Sequence, residues 1–378
     1  MSHTEGDQMA KNIVICCDGT ANQFAQDRTN VVKLFYTLVH DSARQVTYYH
    51  PGVGTMEAPG AVTGLGRSAT KLMGLAFGFG LEAEIRDAYV FLMHHFSVGD
   101  RVYLFGFSRG AYTVRAVTGL LSWYGLIRPG NEPLVPYAIR MLAAINKLNQ
   151  KRRQTQRERV NTYFRLAKEF KDHFCLMGCN PHFVGVWDTV SSVGWIENLL
   201  RLPGTANNPD INIGRHAIAI DERRAFFRSN LWRPRVPGGG PRDLKQVWFP
   251  GVHCDVGGGY PEAQSGLSKI ALEWMLNESR QAGLLVDANK VDLVLGRAGG
   301  DYVPPDPTAA MHESLTWKWW PAEFVWKRRY DYARQKEGRR MNLFRRRTIP
   351  KASFIHESAY QRGDDYRNRL PPDGIKTT

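Results

Sequence analysis

Arg101-Val102-Tyr103-Leu104-Phe105-Gly106-Phe107-Ser108-Arg109-Gly110-Ala111-Tyr112 is the stretch whose reading decides the fold. Val102–Phe105 is continuously apolar, the pattern of a strand buried on both faces. Ala111–Leu121 then takes up helical periodicity. Between them, Gly106-Phe107-Ser108-Arg109-Gly110 matches G-x-S-x-G. That pattern seats a serine on a sharp strand-to-helix turn, where the backbone is strained and the hydroxyl exposed. Small residues two before and two after it let the neighbouring elements approach. The N-terminus of the helix aims its free N–H groups and positive dipole end at the same place. A glycine-rich turn with a helix-capping serine would satisfy the pentapeptide alone. The strand and helix on either side favour a nucleophile.

The same alternation extends outward. Asn12–Cys17 reads as a buried strand ending in the turn Asp18-Gly19-Thr20. Thr29–Val39 reads as a helix, Val46–His50 as a strand and Leu81–Phe96 as a helix. Pro51–Gly80 carries eight glycines and reads as a loop or lid. Pro133–Phe174 is helical and basic, an insertion. Phe183–Trp187 and Leu244–Phe249 are strands, and Leu267–Ala282 is an amphipathic helix. Strands alternating with helices imply α/β architecture, a mostly parallel sheet covered on both faces. The G-x-S-x-G context makes that architecture α/β-hydrolase-like, with helical and loop insertions.

In that fold the acid follows the nucleophile at the end of a later strand, and the histidine comes last. Asp188 leaves the strand Phe183–Trp187. His253 follows the strand Leu244–Phe249 and is boxed by Gly257-Gly258-Gly259. We therefore read Ser108, Asp188 and His253 as nucleophile, acid and base. His50 and His356 are the rival bases, and Asp18 and Asp255 the rival acids. Asp255 is too close in sequence to His253 to face it from a loop, so it is read as support for the histidine loop. Asp18 likewise supports the site. The oxyanion donors are expected to be the backbone N–H of Arg109 and that of Gly19 or Thr20.

At these residues the sequence resembles the catalytic domain of the type VI secretion lipase effectors of the first phospholipase class. The strings that carry the resemblance are Cys17-Asp18-Gly19-Thr20, Gly106 through Tyr112, Gly185-Val186-Trp187-Asp188-Thr189-Val190 and Pro250 through Tyr260. Arg215-His216-Ala217, Asp221-Glu222-Arg223-Arg224 and His356-Glu357-Ser358 are similar as well. The resemblance covers roughly residues 11–285. It implies an α/β-hydrolase catalytic domain there, the same triad, and phospholipase A-type ester cleavage. Residues 286–378 form a Trp- and Arg-rich extension expected to pack on that domain.

Bulk properties bound the partners. The 378 residues are 43% apolar, enough for one elaborated domain. The formal charge of +14 is concentrated in Lys147–Asp172 and Lys327–Arg347. With Trp317, Trp319, Trp320 and Trp326 just upstream of the second run, peripheral contact with an anionic membrane is expected, Arg345, Arg346 and Arg347 included. A solvated helix face or tail is the competing reading of each charge run. No nucleic-acid motif accompanies the charge, so no nucleic-acid partner is expected.

Five cysteines at irregular spacing do not suggest a disulfide framework. Cys175-x-x-x-Cys179 lacks a second ligand pair, so no zinc site is expected. Asp255 could also hold a cation such as calcium, but no EF-hand-like ligand series accompanies it, so capping the glycine turn is the preferred reading and neither a metal nor a cofactor is expected. No signal peptide or membrane-spanning run is read, which points to a cytoplasmic protein compatible with signal-independent export. The leading expectation is a serine hydrolase acting on lipid esters. The alternative is a non-catalytic binding protein on a hydrolase fold.

Overall fold

The computed structural model describes residues 10–19, 28–52, 64–149, 155–176, 179–190, 202–233, 239–331 and 336–378. Eight strands among them build one sheet: β1 Asn12–Cys17, β2 Gln45–His50, β3 Arg101–Phe107, β4 Pro181–Trp187, β5 Ile213–Ala219, β6 Asp243–Phe249, β7 Phe354–His356 and β8 Ile375–Thr377. Their order is β8-β7-β6-β5-β4-β3-β1-β2. Every neighbouring pair is parallel. The chain first moves outward from β1 to β2, then returns past β1 to β3. This reversal opens a crevice beyond the carboxyl ends of β1 and β3, where such sheets bind ligands.

Helices cover both faces. They are α1 Asn30–Thr37, α2 Gly64–His95, α3 Arg109–Tyr124, α4 Leu134–Asn149, α5 Thr155–Phe174, α6 His253–Gly257 and α7 Gly266–Gln281. The period-2 geometry of β1 divides its side chains between two cores. Ile13, Ile15 and Cys17 join α2, α3, α4 and α5 on one face. Val14 and Cys16 join α1 and α7 on the other. A strand apolar at every position is what a sheet covered on both sides demands.

Three expectations change. The glycine-rich stretch is not loop throughout, because α2 already begins at Gly64; 53–63 lie outside the described residues. Each helical glycine costs roughly 1 kcal/mol against alanine, but no proline breaks the segment and its C-terminal half is anchored in the core. Ile213–Ala219, noted only for its family-like string, is a central strand between β4 and β6. The C-terminal segment also does more than pack on the domain. β7 pairs with β6, Phe354 opposite Val247 and Ile355 opposite Trp248, and β8 extends the sheet beyond it.

The basic insertion is a helix pair, α4 and α5. On α5, Ala167 and Phe170 are buried. Lys168 and Asp172 form an exposed pair at 2.6 Å and Arg165 faces Glu169 at 3.7 Å. This segment of the charge run is a solvated helix face. No helix among the described residues is long and apolar enough to cross a membrane.

Candidate active site

Ser108 sits between β3 and α3 with φ 57° and ψ −116°. This is a left-handed conformation that costs a non-glycine residue about 1–3 kcal/mol and clusters at functional sites. The two glycines of the pentapeptide are required by contact. A Cβ on Gly106 would lie 2.5 Å from the Gly110 carbonyl oxygen, and one on Gly110 would lie 2.1 Å from that of Cys17. The end of β1 therefore passes directly against the turn. Gly19 closes over the serine, and a Cβ there would sit 3.3 Å from Ser108 Cβ. The Arg109 side chain turns away from the crevice to pair with buried Glu84 at 2.8 Å.

Asp188 directly follows β4, also with a positive φ, 36°. Its Oδ2 accepts a hydrogen bond from His253 Nδ1 at 2.5 Å. Its Oδ1 accepts from the Ala219 backbone N–H at 3.0 Å. Both residues are buried. His253 opens α6 at the end of the loop leaving β6, and its ring lies between Phe107 and Phe227, with centroids at 4.6 and 4.9 Å. Gly257 is what admits Phe107, since a Cβ there would fall 1.9 Å from the ring. The structure thus brings Asp188 and His253 together beside Ser108. No hydrogen bond joins Ser108 Oγ to His253 among the described residues. Apo sites often close that contact only when substrate binds.

A network holds this pair. Asp221 Oδ2 accepts from the Gly251 N–H at 2.8 Å and from the Tyr366 hydroxyl at 2.6 Å. Glu222, buried, accepts from the His253 backbone N–H at 3.3 Å and pairs with Arg224 at 2.9 Å. Burial would raise the Glu222 carboxyl, but Arg224 brings it down to about 2. Asp255 accepts from the Val252 N–H at 3.0 Å and from His312 Nδ1 at 2.6 Å. It therefore braces the histidine loop and does not meet His253. His216 Nε2 accepts from the Thr189 N–H at 3.2 Å, fixing the turn after Asp188. Burial and the nearby Arg115 lower that imidazole to about 3.

The remaining candidates fall elsewhere. His50 accepts from the Gly52 N–H at 3.1 Å and faces Asp87. His356 caps the helix Glu357–Tyr360 and stacks on Phe249. Asp18 binds Thr29 Oγ1 at 2.6 Å and the Tyr49 hydroxyl at 2.9 Å, tying down the loop after β1. It also takes up the Gly19 N–H at 2.7 Å, which engages one of the two expected oxyanion donors from that loop. Thr20, the other, lies outside the described residues.

Residues 11–278 match the family described as "T6SS, Phospholipase effector Tle1-like, catalytic domain". The chain belongs to this family. Among curated proteins, the uncharacterized protein YEL023C of Saccharomyces cerevisiae is 36% identical over 232 residues, 59% of this chain and 33% of that protein. The chain thus spans about a third of that relative's length. A crystal structure of an uncharacterized protein from Pseudomonas aeruginosa is also similar, with TM-score 0.45 and 21% identity over 78% of this chain and 49% of that one.

The match to the Tle1-like catalytic domain stops at residue 278, yet the site draws on residues well beyond it. Glu323, fully buried, accepts from the Ala225 N–H at 2.6 Å and the Phe344 N–H at 3.0 Å. These bonds stitch the C-terminal segment to the Asp221–Arg224 string. Trp319 packs edge-on to Phe227 at 5.5 Å. Trp317, Trp320 and Trp326 are 71, 52 and 59% exposed, so the tryptophans do not act as one group. Arg345 and Arg346 are exposed, but Arg347 is buried. The expectation that Arg347 faces a membrane is overturned. Its guanidinium lies on Asp188, Nη1 at 2.5 Å from Oδ1 and Nη2 at 3.0 Å from Oδ2. Burial alone would raise the Asp188 carboxyl, but Arg347 and His253 outweigh it and hold it well below the usual carboxylate range.

Proposed function

We propose that this chain is a serine ester hydrolase of lipase or phospholipase A type. The observation that carries the reading is the buried Asp188–His253 pair, 2.5 Å between Oδ2 and Nδ1, beside the strained Ser108 turn. In the mechanism, His253 Nε2 takes the Ser108 hydroxyl proton as Oγ attacks the ester carbonyl. The backbone N–H of Arg109 and one N–H from the loop after β1, Gly19 or Thr20, are the donors assigned to the oxyanion. Collapse of the tetrahedral intermediate breaks the acyl C–O bond, and His253 returns the proton to the departing alcohol. Water, activated by the same imidazole, then hydrolyses the acyl-enzyme. Asp188 holds the imidazole tautomer that leaves Nε2 free to accept. Burial lowers the His253 pKa from its ordinary value while Asp188 pulls it upward, which keeps a neutral base available near neutral pH.

Family membership and the exposed Trp317, Trp320 and Trp326 support a lipid ester as substrate. The test is a fluorophosphonate probe followed by a screen of phospholipids, neutral lipids and short p-nitrophenyl esters. Labelling at Ser108 with release of fatty acid from phospholipid is expected. A folded chain that neither labels nor turns over any ester would be a binding protein on this fold, and the proposal would be lost.

The exposed tryptophans and Arg345 and Arg346 support peripheral docking on an anionic bilayer. Each Lys or Arg at such a surface contributes ~1 kcal/mol, so the double substitution Arg345→Ala, Arg346→Ala should weaken binding to anionic vesicles about 30-fold at low salt. Replacing Trp317, Trp320 and Trp326 with alanine should weaken binding to neutral vesicles as well. Vesicle co-sedimentation across a salt series reads both, and equal wild-type binding to anionic and neutral vesicles at low salt would rule out the electrostatic part.

A further inference from the structure

Arg347 uses all five of its N–H groups on this site. Nη1 donates to Asp188 Oδ1 and, at 2.9 Å, to the Ala219 carbonyl. Nη2 donates to Asp188 Oδ2 and the Phe227 carbonyl, and Nε donates to the same carbonyl at 3.1 Å. With the Ala219 N–H and His253 Nδ1, Asp188 then accepts four hydrogen bonds, two on each oxygen. A carboxylate has about four lone-pair sites, so none remains for a competing partner. The Arg347 side chain is 1% exposed, and a buried guanidinium stripped of its anion would be strongly destabilising.

We propose that Arg347 is a positioning residue that fixes the Asp188 carboxylate and offsets its charge. The inference rests on reading Asp188 and His253 as acid and base. Fixing the carboxylate fixes the imidazole plane and tautomer, because Asp188 is the side-chain partner of Nδ1. The charge effect follows from what faces His253. Asp188 follows β4, and Glu222 and Arg224 follow β5. Arg347 comes from the C-terminal segment, and on α6, the helix that His253 opens, Asp255 is engaged by His312. His216, behind Asp188, is neutral at working pH. Asp188 is balanced by Arg347 and Glu222 by Arg224. The ring therefore meets little net charge, and burial keeps it unprotonated. Without Arg347, the Asp188 charge would act on the ring uncompensated and favour the imidazolium. The sign is then fixed: the pH below which the base is lost moves upward.

The test is the pH profile of kcat/KM for a short ester, measured on the full chain. Arg347→Met should lower kcat roughly 100-fold at pH 8 and raise the acid limb by about one to two pH units. Arg347→Lys should recover part of both, since an ammonium restores the charge but not the two-pronged contact. In the double variant with Asp188→Asn, replacing Arg347 should cost no further activity, because Arg347 acts through that carboxylate. A lower melting temperature with an unmoved limb and additive losses would make Arg347 a structural anchor and overturn the proposal. Should neither substituted chain fold, the wild-type profile decides: an acid limb at or above about pH 6.5 overturns the charge argument, and one below it upholds it. Absence of turnover by the wild-type chain is a separate outcome that sinks the hydrolase reading itself.

Discussion

Ser108→Ala will remove ester hydrolysis, lowering kcat by about 10⁴- to 10⁶-fold, and will abolish fluorophosphonate labelling. The size of the loss follows from what the hydroxyl contributes. Without it no acyl-enzyme forms, and residual rate comes from binding and oxyanion stabilisation alone. The fold should survive. The Ser108 side chain makes no hydrogen bond that caps α3, and the turn is held by the Ser108 N–H to the Trp187 carbonyl and by the packing of Gly106 and Gly110. Alanine occupies the same backbone with one atom fewer. Matched circular dichroism and melting curves, beside a single-turnover assay, separate chemistry from folding. Wild-type turnover in a folded Ser108→Ala chain would remove the nucleophile from Ser108 altogether.

Asp188→Asn should cost about 10⁴-fold in kcat, because an amide that donates to Nδ1 selects the tautomer whose Nε2 cannot accept the serine proton. Here the substitution should also destabilise the chain. Arg347 would keep its burial and lose its anion, an imbalance that costs on the order of 3–5 kcal/mol when a buried pair is broken. Thermal denaturation and steady-state kinetics on the same preparation read both effects. Asp255→Asn is the matched control. It loosens the His312 brace and should reduce kcat far less, since Asp255 does not touch His253. If Asp255→Asn proves the more damaging to chemistry, the acid has been misassigned.

Most of the layout could be read from local pattern because buried parallel strands carry their signal in consecutive apolar residues. β1 and β3 are such strands, and the apolar runs Ile13–Cys17 and Val102–Phe105 fall inside them. β5 escaped because Ile213-Gly214-Arg215-His216-Ala217-Ile218-Ala219 interrupts that run with Arg215 and His216. Both polar residues find their partners only in the folded state, Arg215 in Glu278 and Asp243 and His216 Nε2 in the turn after Asp188. β7 is three residues long and gains its meaning only from pairing with β6. At the site, Ser108, Asp188 and His253 stand at strand ends, where local context points to them. Arg347 had no such signal. It is the last of three consecutive arginines in a basic run, and nothing in the run distinguishes the buried one from the two in solvent. Asp221 and Glu222 were visible as part of a family-like string, but their bonds to the histidine loop are tertiary facts.

The pairing of Val247 and Trp248 with Phe354 and Ile355 has a consequence for how the molecule is made. A ribosome that has extruded only as far as α7 has released β6 with one side unpaired, an edge bearing apolar side chains that Ile355 will later cover. Contacts between segments so distant in sequence form slowly, because loop closure must be completed before they reward the chain. During that interval the open edge is a template for pairing with other nascent chains. Translation arrest or cleavage before residue 354 would leave that edge permanently open, and the shortened product is expected to be a substrate for chaperones and a source of aggregates.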